Sequence, residues 1–229
     1  MKGMLPLLLL RPDAFFSERI KEAEDLKIPG IIVIIGAIIA AAGAYLLSGI
    51  YTGLFSAAAG EGMASVMGII SAISAFFAFI IIWWLIFSGV FYLLSMDFAG
   101  SGTFRRTLEF VGYGLVPVII GVIISAIVSL YYLPMVEVPV ISNIQDPAAV
   151  QRVMSDILAD PAFREYTQIS SILSVIFLAW SANLWIFGIR HARALSFRNG
   201  IIVVLIPVVI FAIYTLYMAF IGTPFIGGS

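Results

Sequence analysis

Five long apolar runs carry almost no charge, and this constrains the fold more than any other feature of the chain. Between Ile28 and Met96 the only charged residue is Glu61, and there is none from Val111 to Leu133, from Gln168 to Gly188 or from Gly200 to Ser229. Runs of about 20 apolar residues match a hydrocarbon layer of roughly 30 Å at about 1.5 Å per helical residue. A water-soluble core does not absorb so much uninterrupted apolar sequence. Only 11% of the 229 residues are charged, against about 25% in soluble domains. The expected fold class is therefore all-α: a polytopic bundle of five transmembrane helices with short interfacial amphipathic helices.

The spans are expected at about 28–51, 66–96, 111–132, 168–188 and 200–221. The second is long for one crossing and short for two, so a single tilted or protruding helix is expected. Residues 1–27 read as a cytoplasmic N-terminal segment, residues 28–229 as the membrane domain, and residues 133–167 as its outward loop. The apolar stretch Met4–Leu10 contains Pro6 and runs into Arg11-Pro12 without a small-residue cleavage pattern. It is read as mature sequence.

Orientation follows the basic residues. Lys2, Arg11, Arg19, Lys21 and Lys27 precede span one, Arg105 and Arg106 follow span two, and Arg190, Arg193 and Arg198 follow span four. Only Arg152 and Arg164 lie on the other side. Ten against two predicts a cytoplasmic N-terminus and an outward C-terminus in the cell membrane. An even number of spans would break this agreement.

Two peripheral helices are expected. Residues 13–26 place Phe15, Phe16, Ile20, Ala23 and Leu26 near one face, which suits an interfacial helix. In the outward loop, Asp146-Pro147 has the form of an N-cap followed by proline in the first turn. Val150, Val153, Met154, Ile157 and Leu158 then follow helical spacing, and Asp160-Pro161 repeats the start signal.

No catalytic constellation is visible. The chain has no cysteine and one histidine, which excludes a thiolate nucleophile and a His–His metal site within one chain. No catalytic, metal or cofactor-binding residues are assigned, and no enzyme activity or nucleic-acid partner is expected. His191, between Arg190 and Arg193, reads first as a polar residue at a helix C-terminus. The spans lack internal Asp, Glu, Lys and Arg, which argues against a proton-coupled carrier. Asn183 is the best intramembrane polar candidate, for an interhelical hydrogen bond or for a conduction path. Small residues recur every four positions at Gly36, Ala40 and Ala44 and at Gly121, Ser125 and Ser129, permitting close helix approach. Arg105, Arg106, Arg190, Arg193 and Arg198 are expected to form a basic cytoplasmic surface. It serves topology and attraction to anionic head groups, or, as Arg105, Arg106, Arg190, His191 and Arg193, a specific lipid-phosphate or acidic-partner site.

The stretch SGTFRRTLEFVGYGLVP, residues 101–117, resembles the central signature of the Yip family, the Ypt/Rab-interacting membrane proteins. Gly112, Tyr113, Gly114 and Pro117 stand where that family has Gly-Tyr-x-x-x-Pro leading into its third span. LWIFGIRHARALSFRNGIIVVLIP, residues 184–207, resembles the family's junction between spans four and five. Arg11-Pro12 to Phe16, followed by Pro29-Gly30, resembles its short prokaryotic branch. The resemblance implies five spans and a cytoplasmic N-terminus. The long N-terminal region and the Asp-Leu-Tyr-Gly-Pro signature of eukaryotic members are not present, so it carries over neither Rab binding nor Golgi trafficking.

Physically, Gly112 and Gly114 are expected to relax the backbone at the membrane boundary and Tyr113 to anchor at the head groups. Pro117 in span three and Pro207 in span five are expected to kink their helices. A crevice between those helices, with Arg105, Arg106 and Arg190 at its mouth, would suit a lipid or small amphiphile. Two functions stand open: a non-enzymatic membrane-organising, lipid-binding or partner-binding protein, including self-association, and a small channel or facilitator. A dry core favours the first and a continuous polar cavity the second.

Overall fold

A computed structural model describes residues 4–59, 61–137, 139 and 146–222. Lys2, the C-terminus at Ser229 and residues 138 and 140–145 of the expected outward loop lie outside the described residues. The elements are helices α1 (Met4–Leu10), α2 (Pro12–Arg19), α3 (Lys27–Ala59) and α4 (Glu61–Ala78). A π-helical stretch, Phe79–Ile86, leads into α5 (Phe87–Met96), followed by α6 (Phe104–Tyr113) and α7 (Val116–Tyr132). A 3₁₀ turn at Leu133–Met135 precedes α8 (Pro147–Ala159), α9 (Pro161–Ala192) and α10 (Phe197–Phe220). No strand occurs among the described residues.

Five helical stretches are long and apolar enough to cross a membrane: Lys27–Gly49, Ser65–Met96, Val116–Met135, Pro161–Ala192 and Phe197–Phe220. Their outward faces carry Ile, Leu, Val and Phe in quantity, as a surface solvated by lipid requires. The protein is an all-helical, multi-pass membrane protein. The second stretch is unbroken from α4 through the π-helical turns into α5, so it is one helix. Its 32 residues span about 48 Å at about 1.5 Å per residue, more than one hydrocarbon thickness.

The chain forms two compact units. The first comprises Met1–Ala37, Phe77–Ile120 and Ile176–Ala212. Leu8, Phe15, Phe16, Phe110, Tyr113, Leu184 and Ala192 form its central cluster. Beside it Phe87 stacks on Trp185 with ring centres 5.4 Å apart, and Phe91 lies 5.5 Å from the same indole. Gly36 is needed for packing here: a Cβ would sit 2.7 Å from the Phe79 ring and 2.8 Å from Ile119.

The N-terminal segment departs from expectation. Its helix ends at Arg19 rather than near residue 26, and Phe15 and Phe16 are buried in protein. They meet Tyr113 and Phe110 at 5.2 and 4.8 Å, so α1 and α2 pack as a cap within this unit.

The second unit comprises Ile38–Phe76, Gly121–Val175 and Ile213–Ser229. In it α8 begins as its sequence predicts. Asp146 accepts a hydrogen bond from the Ala148 N–H at 3.0 Å, with Pro147 in the first turn. Asp160 accepts one from the Phe163 N–H at 3.0 Å to start α9. The apolar face of α8, with Ile157 at its centre and Val150, Val153 and Met154 beside it, packs on Val136 and Phe163. Two small residues act as spacers: Gly68 approaches Tyr45 and Ser48 closely, and Ser129 is buried with its hydroxyl donating to the Ala126 carbonyl at 2.7 Å.

Candidate functional site

The polar chemistry of the first unit gathers around α6. Thr103 caps this helix by accepting from the Arg106 N–H at 3.0 Å. Arg106 and Glu109 fall one turn apart on the face turned inward, and Glu109 is fully buried. Its two carboxylate oxygens are held separately, by Arg106 at 2.8 Å and by Arg19 of α2 at 2.7 Å. Arg106 also donates to the backbone carbonyl of Glu22 at 2.6 Å, Arg19 pairs with Glu22, and the Thr103 hydroxyl donates to Glu24. The cap is thus fastened to α6 by charge-assisted bonds.

Burial pushes the Glu109 carboxyl up from the ordinary carboxylate value, and Arg106 and Arg19 only partly offset it. Burial acts against the Arg19 charge too, but there the hydrogen bond and attraction of Glu109 prevail and raise its pKa. Burial also raises Tyr113, which lies in the core and is not a head-group anchor.

Two indoles clamp the other end of α6. Trp84, from the π-helical turns, donates to the Leu108 carbonyl at 2.8 Å, and Trp185 of α9 donates to the Val111 carbonyl at 3.0 Å. Gly112 and Gly114 make room for them. A Cβ on Gly112 would lie 2.7 Å from Pro29 and 3.0 Å from the Trp84 indole nitrogen, and one on Gly114 would overlap the Trp185 ring. Gly114 has an ordinary helical φ of −70°, so these glycines are packing positions rather than points of backbone freedom.

The turn at Gly114–Leu115 separates α6 from α7, which begins at Val116. The third span therefore starts five residues later than expected. Pro117 sits in the first turn of α7, where its missing N–H costs nothing, so it does not kink the span. Pro207 does lie inside α10 and leaves the Val203 carbonyl without its usual donor.

The arginines divide by role. Arg193 is buried. It donates to Ser95 Oγ at 2.8 Å and to the Gly100 carbonyl at 2.8 Å, also reaches the Gly102 carbonyl, and lies over the Tyr92 ring at 4.2 Å. Gly102 holds a φ of +101°, and a Cβ there would strike the Ala192 carbonyl. Arg190 and His191 both engage Asp13 Oδ1, at 3.0 and 2.7 Å. Arg105 and Arg198 are exposed.

The expected basic surface is thus corrected. Arg106 and Arg193 serve internal packing because backbone carbonyls and a carboxylate need their donors. Arg105, Arg106 and Arg190 therefore do not line one mouth. Asn183 is also exposed, among buried neighbours Ala182 and Leu184, and so does not point into the core. Glu109, Arg19, Asp13, Ser95, Trp84 and Trp185 were missed by sequence reasoning; a carboxylate flanked by cations on a helix beside a glycine pair was the available signal. Among the described residues no group of three or more His, Asp or Glu side chains could hold a metal.

Five apolar spans, and a charged network that fastens an N-terminal cap to a short, partly buried helix, define a multi-pass helical membrane protein. The Yip1 domain matches residues 7–219, and the chain belongs to that family. Over 123 residues it is 37% identical to an uncharacterized protein of Methanocaldococcus jannaschii, an alignment covering 54% of this chain and 86% of that protein. An archaeal relative agrees with the short prokaryotic branch that the N-terminal segment resembles. No solved structure matches significantly.

Proposed function

We propose that this Yip1-family protein is a non-enzymatic membrane-organising protein of the cell membrane. Its folded N-terminal cap, on the cytoplasmic side, is presented to anionic lipid or to a membrane-protein partner. The observation that carries this reading is the burial of the end of α6 and the turn after it: Val111–Leu115 are all buried, and the nearby Glu109 is sealed by Arg19 and Arg106. Turnover requires polar groups converging on an accessible cavity, whereas these converge on one another. The conduction reading loses its main polar candidate, because Asn183 faces away from the core.

Arg11, Lys21, Lys27, Arg105 and Arg198 remain exposed, each worth about 1 kcal/mol beside an anionic surface. The test is reconstitution into liposomes with and without phosphatidylglycerol. Vesicle shape and clustering are read by electron cryomicroscopy, and solute flux in parallel. The expected result is tight vesicles whose morphology changes with anionic lipid, an effect weakened by Arg105→Glu with Arg198→Glu. Selective ion or solute flux with unchanged morphology would overturn the reading in favour of a channel.

A further inference from the structure

A cavity of about 580 Å³ lies in the second unit, walled by the end of α8, the first turns of α9 and the last turn of α10. Leu158, Phe163, Tyr217, Met218 and Phe220 make its walls apolar. Its size falls in the range of about 300–1,000 Å³ typical of small-molecule sites. Among the described residues Arg164 is the only charged one lining it. Among the described residues the Arg164 side chain has no ion pair, and it is exposed. Thr167 is less available, since its hydroxyl already donates to the Phe163 carbonyl at 2.8 Å. A second recess, of about 320 Å³, shares Ser155 with the cavity and is lined by Gln151, Arg152 and Asp156. Arg152 uses its Nε on the Ala148 carbonyl at 3.3 Å, leaving its terminal N–H groups for another acceptor.

An apolar chamber with a guanidinium at its rim and a polar recess beside it matches a molecule with a hydrocarbon tail and an anionic head. Arginine suits that head, because its planar fork binds phosphate oxygens in pairs. The occupant should come from the bilayer, since Tyr217, Met218 and Phe220 are themselves exposed on a spanning helix. We infer that this cavity holds one acyl chain of an anionic phospholipid, with its phosphate on Arg164 and Arg152 at the neck of the recess. The site is separate from the cap and does not depend on the function proposed above.

The test is native mass spectrometry of the full chain from nanodiscs of mixed phosphatidylcholine and phosphatidylglycerol. One retained phosphatidylglycerol per chain is expected. Its retention should fall by about tenfold or more in Arg164→Gln and in Ala159→Trp, which fills the chamber, and should persist in Arg105→Gln. Unchanged melting temperatures would show that both site variants are folded. Equal retention of the two lipids, or retention unaffected by Arg164→Gln and Ala159→Trp, overturns the proposal. So does selective capture of free fatty acid. Stronger retention in a chain ending at Gly222, the last described lining residue, would likewise overturn it.

Discussion

Gly114 packs so closely on the Trp185 indole that one added methyl group has no room. Gly114→Ala is expected to destabilise the protein by about 1–3 kcal/mol, the usual cost of overpacking, and Gly112→Ala similarly through Pro29 and Trp84. Gly89 has nothing within 4 Å of its added Cβ, so Gly89→Ala should be neutral or stabilising by up to about 1 kcal/mol. Unfolding in detergent followed by tryptophan emission distinguishes the three; equal effects at Gly114 and Gly89 would mean that the indole contact is not tight.

Glu109 gives a pH signature of definite sign. Its carboxyl is raised, so the folded chain keeps this proton at pH values where the unfolded chain has released it. The unfolding free energy should therefore fall as pH climbs from the ordinary carboxylate range through the folded value. Glu109→Gln should flatten that slope, and an unaltered slope would show that other groups produce it. Glu109→Leu leaves two guanidinium groups facing an apolar side chain and should cost about 3–5 kcal/mol.

At the scale of elements, the spans were legible and α6 was not. Apolar runs report helix existence directly, because lipid demands them. FRRTLEFVGY reads locally as a charged surface helix. Its burial is decided by Arg19, 90 residues earlier, and by indoles on two other helices. Arg105 and Arg106 are adjacent in sequence, yet one is exposed and the other buried; nothing local separates them. The same distance effect buries Tyr113, and it ends α2 at Arg19, where the Arg19 and Glu22 carbonyls become acceptors for Arg106. Breaking this contact should therefore loosen the segment that follows α2. Arg106→Ala is expected to expose the peptide bonds after Arg19 and Lys21 to trypsin in the detergent-solubilised protein, while the spans stay resistant. Equal cleavage of wild type and variant would show that α1 and α2 are held by their apolar contacts without help from the arginine.

For the whole molecule, the same contacts constrain topology independently of charge counting. Arg19 bonds Glu109, Asp13 bonds Arg190, and the Ser101 N–H donates to the Arg193 carbonyl at 3.0 Å. The N-terminal segment, the connection after α5 and the connection after α9 must therefore lie on one side of the membrane. An odd count of five crossings satisfies this, and the excess of basic residues there favours the cytoplasmic side. With no cysteine in the chain, each introduced thiol is a unique reporter. Glu18→Cys, Ser101→Cys and Ser196→Cys occupy exposed positions on the tied side, and Gln151→Cys and Glu165→Cys exposed positions in α8 and α9. A membrane-impermeant maleimide is expected to label the last two in intact cells and the first three only after permeabilisation. The reverse pattern would turn the cap and its exposed cations outward and remove the proposed cytoplasmic role. Labelling of positions 101 and 196 from opposite sides would contradict the contacts themselves, because no five-span path can then join Ser101 to Arg193.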